Sequence, residues 1–174
     1  MSGFEPPEHL VILRTDHWVL NHRVDAVLPG YLMLGARMPT NDLSLMGAEA
    51  LAELGVLLAR AQSGLSAILK PEHLSIGRYG HVAGYPLHFH IMPICGWVKH
   101  RFFADPRYRV LQNFHRPSDA DAVGHTDGGE LTLYVWRELC ANPDLAPIPG
   151  PTIQEVIGKL KDFMSVSDSG DSVA

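Results

Sequence analysis

The chain has 174 residues, of which 46% are hydrophobic and 19% charged, and its formal net charge is −5. This length allows one domain with a sizeable core rather than two, and no apolar run approaches the roughly 20 residues that span a bilayer. The acidic balance argues against nucleic acid or an anionic membrane as a partner, because binding either one normally requires a basic excess.

The first residues, MSGFEPPEHL, are acidic and proline-bearing, without the basic and apolar regions of a secretory signal. Only two cysteines occur, Cys95 and Cys140, and neither lies at the C-x-x-C spacing of a zinc ribbon or a redox motif. Together these features predict a cytoplasmic protein with two buried thiols.

Three short strands are predicted next. The segment HLVILRTDHWVLNHRV predicts strands over 9–14 and 17–22, and Pro29-Gly30 precedes a third strand that begins at Tyr31. The first two are separated only by Thr15-Asp16, so they should be neighbours in an antiparallel sheet.

A long helix follows the third strand. Ser44 is its expected N-cap, and the helix should end near Leu69, because Pro71 disfavours the helical conformation for Lys70. The apolar residues recur at steps of three and four, as in an amphipathic helix: Leu51, Leu54, Leu58, Ala61, Leu65 and Ile68.

The segments HLSIGRYG and LHFHIMPI predict two more strands around the turn GHVAG. Residues 98–126 are basic and then polar without a clean period, which predicts a long surface loop. Capping boxes at Asp127 and Thr152 introduce two further helices, the first over 128–141.

Strands that interleave with one long helix favour an α+β domain, an antiparallel sheet of about five strands with helices to one side. We predict this domain over 1–126, including the basic and aromatic loop 98–126. A C-terminal helical extension over 127–164 and a disordered tail over 165–174 complete the prediction.

Two histidines, His88 and His90, interrupt the apolar fifth strand in YPLHFHIMP. Residues i and i+2 of a strand point to the same face, so this pair should face one way while Leu87, Phe89 and Ile91 face the core. A single strand histidine is more often structural, but two in register beside a glycine-containing turn indicate a functional site.

Metal binding and nucleophilic catalysis are two interpretations of the pair. H-x-H is a common ligand pair in metal-binding barrels, but no carboxylate follows His90, and His81, His100 and Cys95 lie at no specific ligand spacing. A neutral imidazole is a competent nucleophile toward phosphorus, and histidine is largely neutral at pH 7. The second histidine can then donate a hydrogen bond to a phosphate oxygen. We favour the second interpretation, which calls for no metal or cofactor, but both stay open at this point.

These motifs resemble those of the histidine-triad family of nucleotide hydrolases and transferases. The family motif H-x-H-x-H-x-x is matched by PLHFHIMP, with Pro86 in place of the first histidine, His88 and His90 as the second and third, and a closing proline. The segments LNHRVDAVLPGYLML, containing Asn21, and GHVAG match the family upstream, although the Gln and spacer that usually follow Ala-Gly are missing. The resemblance covers roughly residues 9–97.

The resemblance implies that His88 attacks the α-phosphate of a nucleotide ester, anhydride or phosphoramidate. Water would then cleave the nucleotidyl-histidine, while His90 contacts the same phosphate. Asn21 stands where the family binds the ribose, and Arg78 lies near the position from which a Gln usually reaches the phosphates. The family fold is an α+β domain that forms a homodimer and needs no metal for the attack.

The replacement of the first histidine by Pro86 is the main departure from the family. Removing a general acid or base commonly lowers a rate by about 10²–10⁴, and proline donates no proton. His81 or His100 could contact the nucleotide and protonate the leaving group. A nucleotide-binding module without turnover and a metal-binding sheet protein therefore stay open as alternatives.

The basic and aromatic segment WVKHRFFADPRYR has two interpretations of its own. Its aromatic residues either pin a solvated loop to the domain, which we favour, or clamp a nucleotide, with cations for the phosphates and an aromatic face for a purine.

Overall fold

The computed structural model describes residues 3–79, 85–108, 128–140 and 147–166. Its centre is one antiparallel sheet with the strand order β1-β2-β3-β5-β4. The predicted α+β class and the five-stranded sheet are thereby confirmed. The strands are β1 (Val11–Arg14), β2 (Trp18–His22), β3 (Leu32–Ala36), β4 (His73–Gly77) and β5 (His88–Ile94).

The described residues form four α-helices beside the sheet, and none of these helices is long and apolar enough to cross a membrane. Two of the α-helices, the one before β4 and the last one described, share a core with one face of the sheet. The helices are α1 (Ala48–Leu69), α2 (Gly96–Ala104), α3 (Gly128–Glu138) and α4 (Ile153–Val166).

The first core lies between one face of the sheet and helices α1 and α4. Trp18 on β2 is fully buried there, and its indole Nε1 donates to the Ala50 carbonyl of α1 at 2.9 Å. Leu87, Phe89 and Ile91 belong to this core as predicted, Phe89 at its margin. Other members are Leu20, Leu32, Leu34, Leu57, Leu65, Val156 and Leu160.

The long helix ends as predicted but begins later. Lys70 adopts the left-handed conformation, with φ 48°, directly before Pro71. The predicted N-cap at Ser44 is wrong: the helix starts after Gly47, and Ser44 lies in a separate 3-10 turn. The Asp42 carboxylate accepts hydrogen bonds from both the backbone nitrogen and the hydroxyl of Ser44, so the capping interaction closes this turn instead.

The prediction of a loop from residue 98 onward is wrong for its first part, because Gly96–Ala104 forms α2. Val98 and Phe102, four residues apart, are buried on one side of this helix. Tertiary packing of such a face outweighs weak local periodicity. Residues 109–126 of the predicted loop lie outside the described residues.

The two C-terminal helices are integral to the cores. The predicted Thr152 capping box forms, with Glu155 accepting from the Thr152 nitrogen at 2.7 Å and the Thr152 hydroxyl accepting from the Glu155 nitrogen at 3.2 Å. Asp127, the other predicted cap, and residues 167–174 of the predicted tail lie outside the described residues.

A second core lies on the opposite face of the sheet and joins α2 and α3 to it. The Tyr134 ring of α3 packs edge-on against Phe102 at 5.6 Å and against Tyr108 at 5.0 Å. Met92 of β5 and Leu131 of α3 are buried in the same core. This core therefore places α3 beside the strand that carries the two histidines.

Candidate functional site

Strand register brings the histidines and Asn21 to the same face of the sheet. On β3, Gly35 is opposite His88 and Met33 is opposite His90, while Asn21 on β2 is opposite Met33. Directly paired strand residues point to the same side, and this is the face away from the first core. Both histidines are only 6% exposed.

The His88 ring is held by the backbone of residue 86. Its Nδ1 lies 2.8 Å from the Pro86 carbonyl oxygen. A carbonyl can only accept, so we assign the proton of neutral His88 to Nδ1, which leaves a lone pair on Nε2. Any residue at position 86 supplies this carbonyl, and the interaction does not require the histidine that the family has there.

The N-terminal segment covers one side of His88. The Phe4 ring lies nearly parallel to the imidazole, with 6.1 Å between centroids and 23° between planes. It rests on Gly35, where an added Cβ would come within 2.2 Å of the ring. The absence of a side chain at Gly35 therefore makes this contact possible, and the Phe4 nitrogen secures it by donating to the Ala36 carbonyl at 3.1 Å.

His90 is linked to two residues of the β2–β3 region. Its Nδ1 lies 3.0 Å from the Tyr31 hydroxyl, and an Arg23 nitrogen donates to the same hydroxyl at 3.0 Å. Arg23 is oriented in turn by the Asp25 carboxylate. Because Arg23 already donates to the Tyr31 oxygen, we assign the hydroxyl proton to the bond with His90, which places the His90 proton on Nε2.

The surroundings keep these groups in the protonation states that this arrangement needs. Burial, together with the nearby His88 and Arg23, lowers the pKa of His90 to about 4. Burial raises the pKa of Tyr31 to about 12. At neutral pH, His90 is consequently an uncharged donor and Tyr31 keeps its proton.

The two histidines open onto a cavity of about 640 Å³, the size range of small-molecule sites. Arg23 and Tyr31 line it beside the histidines, and α3 provides the opposite wall. That wall is one helical stripe with the spacing i, i+3, i+4, i+7. The remaining lining residues are Tyr79, Tyr85, Gly129, Thr132, Leu133 and Trp136.

The residues predicted to bind the nucleotide lie apart from this cavity where the structure describes them. Asn21 is fully buried, with its amide nitrogen donating to the His22 carbonyl and its Oδ1 unpartnered among the described residues. Arg78 is exposed and donates to Asn41, and His100 is exposed on α2. His81 lies outside the described residues.

The described residues of the basic and aromatic segment after the histidines pack against the domain or form ion pairs. Phe102 and Tyr108 are buried in the second core, and Lys99 and Arg107 form ion pairs with acidic neighbours. None of the described residues of this segment lines the cavity. The interpretation in which its aromatic residues pin the chain to the domain is the one that fits these contacts.

Sequence reasoning missed the partners of the histidines. Tyr31 follows Pro-Gly and directly precedes β3, in phase with Met33 and Gly35, so strand alternation would have placed it on the histidine face. Trp136 could also have been noticed, because it is an aromatic residue on the stripe of α3 next to the buried stripe.

Among the described residues, no group of three or more histidine, cysteine or acidic side chains is placed to hold a metal ion.

No family model and no curated protein sequence matches this chain. Among solved structures, a zinc-bound histidine triad family protein from Mycobacterium smegmatis aligns with 93% of this chain and 88% of its own, at a TM-score of 0.52 and 12% identity. The diadenosine triphosphate hydrolase of Plasmodium falciparum, solved in complex with cyclomarin A, aligns with 99% and 86%, at 0.51 and 12%. A uridylyltransferase aligns with 92% of this chain and 42% of its own, at 0.54 and 16%. The chain therefore has a histidine-triad-like fold.

Proposed function

We propose that the protein is a nucleotide phosphohydrolase or nucleotidyl transferase that works through a covalent nucleotidyl-His88 intermediate. Its substrates would be nucleotide phosphoramidates, esters or dinucleoside polyphosphates. The hydrogen bond from His88 Nδ1 to the Pro86 carbonyl carries the proposal, because it leaves the Nε2 lone pair for attack although the first histidine of the motif is absent. The histidine-triad-like fold supports the same class of reaction.

The reaction has two displacement steps. His88 Nε2 attacks the α-phosphorus, the N–P bond forms, and the bond between phosphorus and the leaving group breaks with its electron pair on that group. Water or another acceptor then attacks phosphorus and breaks the N–P bond. The electron pair of that bond returns to Nε2, which leaves His88 neutral, and the proton of the attacking group passes to solvent. His90, as an Nε2–H donor, stabilises the charge that grows on the phosphate oxygens.

Arg23 supports both steps as a fixed positive charge. Its side chain is largely buried, is held by Asp25 and lines the cavity beside His90. A guanidinium in a poorly solvated cavity attracts a phosphate more strongly than one in water. Arg23 thus takes the phosphate-binding role that sequence reasoning gave to Arg78.

Pro86 makes the choice of leaving group important, since it supplies no proton. A polyphosphate departs as an anion, whereas an amine must be protonated as it leaves. We therefore expect dinucleoside polyphosphates to be cleaved with a higher kcat than phosphoramidates of the same nucleoside. The measurement is kcat for both substrates across pH 5–9.

The decisive experiment is a single-turnover reaction with an adenosine phosphoramidate or a dinucleoside polyphosphate. It is quenched in alkali, because a phospho-imidazole is acid-labile, and the intact mass is measured. A nucleotidyl adduct and AMP release that both disappear in His88→Asn establish the proposal. If His88→Asn turns over substrate like the parent protein, His88 is not the nucleophile.

The alternative is a nucleotide-binding module without turnover, and Pro86 is the observation that favours it. In that case the nucleotide binds, but neither adduct nor AMP appears over hours. Elemental analysis addresses the remaining alternative, a metal-binding protein, which would contain a stoichiometric divalent ion. The homodimer and the cytoplasmic location stay predictions from the sequence.

A further inference from the structure

We propose that the nucleobase of the substrate binds on the α3 side of the histidine pair, against an aromatic wall formed by Tyr79, Tyr85 and Trp136. The inference rests on the proposed function and adds to it the place where the substrate is recognised. It makes α3, which lies outside the part of the chain that resembles the family, the element that selects a phosphate compound carrying a flat aromatic ring.

The wall consists of aromatic side chains that are about half exposed. Tyr79, Tyr85 and Trp136 are 49%, 62% and 56% exposed, although all three border the same cavity. Exposed apolar groups gathered around a concave site are typical of ligand-binding surfaces. Aromatic rings of this kind bind nucleobases by stacking, whichever the base, because every base has a π-face.

Helix α3 holds its part of the wall rigidly because its two stripes have different roles. Leu131, Tyr134 and Val135 are buried in the second core and fix the helix against the sheet. Thr132 and Trp136 lie on the neighbouring stripe and line the cavity. The Tyr79 hydroxyl donates to the Thr132 hydroxyl at 3.5 Å, and this contact links Tyr79 to α3.

The opposite side of the histidine pair is closed by the chain itself. Phe4 covers one side of His88 and fills the space above Gly35, and Asn21, two strands from His90, is 0% exposed. Neither Phe4 nor Asn21 lines the cavity. A base attached to a phosphate at the histidines therefore has the cavity on its α3 side, whereas the side toward Asn21 is closed by described residues.

The charge distribution fits the same orientation. Arg23 and the two histidines line the cavity together, since Tyr31 connects Arg23 to His90, and a phosphate would be bound there. The Tyr79 ring lies 5.5 Å from that of His90, and its hydroxyl contacts Thr132 of α3. A nucleotide has the matching order of groups, with an anionic phosphate at one end and a flat ring at the other.

The test compares an adenosine phosphoramidate with the ribose 5-phosphoramidate that lacks the base, in the full-length parent protein and in Trp136→Ala. Stacking on an aromatic side chain is worth about 1–3 kcal/mol per base, or about 5- to 150-fold in affinity. Trp136→Ala should raise KM for the adenosine substrate by about 5-fold or more with little change in kcat. KM for the abasic substrate should stay the same.

Two further variants control for indirect effects. Val56→Ala changes a residue that is equally exposed, at 56%, on α1 behind the opposite face of the sheet, and should leave both KM values unchanged. Tyr85→Leu, which removes a different part of the wall, should raise KM for the adenosine substrate only. Equal KM values for parent and Trp136→Ala, or an equal rise for the abasic substrate, would overturn the inference.

Failure of this inference is distinguishable from failure of the proposed function. If Trp136→Ala forms the His88 adduct with unchanged KM, the site is catalytic but the wall does not bind the base. If the parent protein forms no adduct at all, AMP titrated into the parent, Trp136→Ala and Val56→Ala decides the inference alone. Binding weakened about 5-fold or more only in Trp136→Ala supports it, and equal binding in all three, or none, overturns it.

Discussion

The two faces of the sheet bury their residues to a similar extent, but with different consequences. Toward α1 and α4, strand residues such as Leu34 and Ile91 meet other apolar side chains and are fully buried. On the other face, His88 and His90 are almost as deeply buried, yet each ring is oriented by a hydrogen bond to a specific partner. Burial of apolar side chains therefore stabilises both faces, whereas at His90 burial also lowers the pKa and at both histidines the hydrogen bonds set the proton positions.

The largest predicted effects of mutation differ between the two faces, being a loss of catalysis on one and a loss of stability on the other. His88→Asn should lower adduct formation by at least about 10³-fold, because it removes the attacking atom. Leu34→Ala, on the strand beside it but facing α1, should lower the free energy of unfolding by about 2–5 kcal/mol and leave the rate per folded molecule unchanged. Single-turnover rates and urea unfolding measure both quantities. A catalytic defect in Leu34→Ala as large as that in His88→Asn would remove the distinction.

The free energy of unfolding should depend on pH because of His90, on the histidine face of the sheet. The His90 pKa is about 4 in the folded protein against an ordinary value of 6.5, so protons bind the unfolded chain preferentially in this window. Stability is highest above pH 6.5 and falls toward pH 4, by about 3 kcal/mol from this group.

The measurement is urea unfolding at several pH values, with His90→Gln as the comparison. His22, whose pKa is also lowered by burial, contributes to the same slope in both proteins. The variant should therefore show a shallower decline than the parent. Identical slopes would mean that His90 titrates normally in the folded protein.

Two glycine substitutions test the closed side of His88. Gly35→Ala places a methyl group against the Phe4 ring and should destabilise the protein by about 1–3 kcal/mol, as overpacking does. Gly55→Ala, at a helix position with nothing within 4 Å of the added carbon, should instead stabilise it by about 0.5–1 kcal/mol. Urea unfolding of both variants checks the signs, and a neutral Gly35→Ala would show that Phe4 does not rest on Gly35 in solution.

The smallest expected effect concerns the positioning of His90. Tyr31→Phe keeps the ring but removes the hydrogen bond to Nδ1, which should lower kcat by about 10-fold, the value of one hydrogen bond. The nitrogen-15 chemical shifts of His90 should show its proton moving from Nε2 toward Nδ1. An unchanged tautomer together with an unchanged rate would contradict the role given to Tyr31.

Local sequence signals predicted the scaffold well. Alternating and helical periodicities gave the sheet and α1, and Pro71 gave the end of α1, because each depends on neighbours in the chain. The start of α1 and the existence of α2 were mispredicted. In the first, the Asp42 carboxylate accepts a hydrogen bond from the Ser44 hydroxyl in a separate 3-10 turn, so Ser44 does not cap α1. In the second, Phe102 packs against Tyr134, which is distant in the sequence.

The histidine pair was predictable for the same reason, since His88 and His90 share a face by strand alternation alone. Their partners were not. In the sequence, Pro86 only interrupts the motif, whereas in the structure its carbonyl oxygen forms a hydrogen bond with His88 Nδ1. Tyr31 and Arg23 reach His90 through strand register, and Trp136 reaches the cavity through the packing of α3.

The sequence by itself thus determined that His88 and His90 share one face of a strand, because short-range periodicity decides the face on which a side chain lies. Only the tertiary structure decided what surrounds the two histidines. Phe4 closes one side of His88 and α3 borders the cavity on the other. Both arrangements depend on contacts between residues far apart in the chain, and such contacts form only when the whole chain has folded.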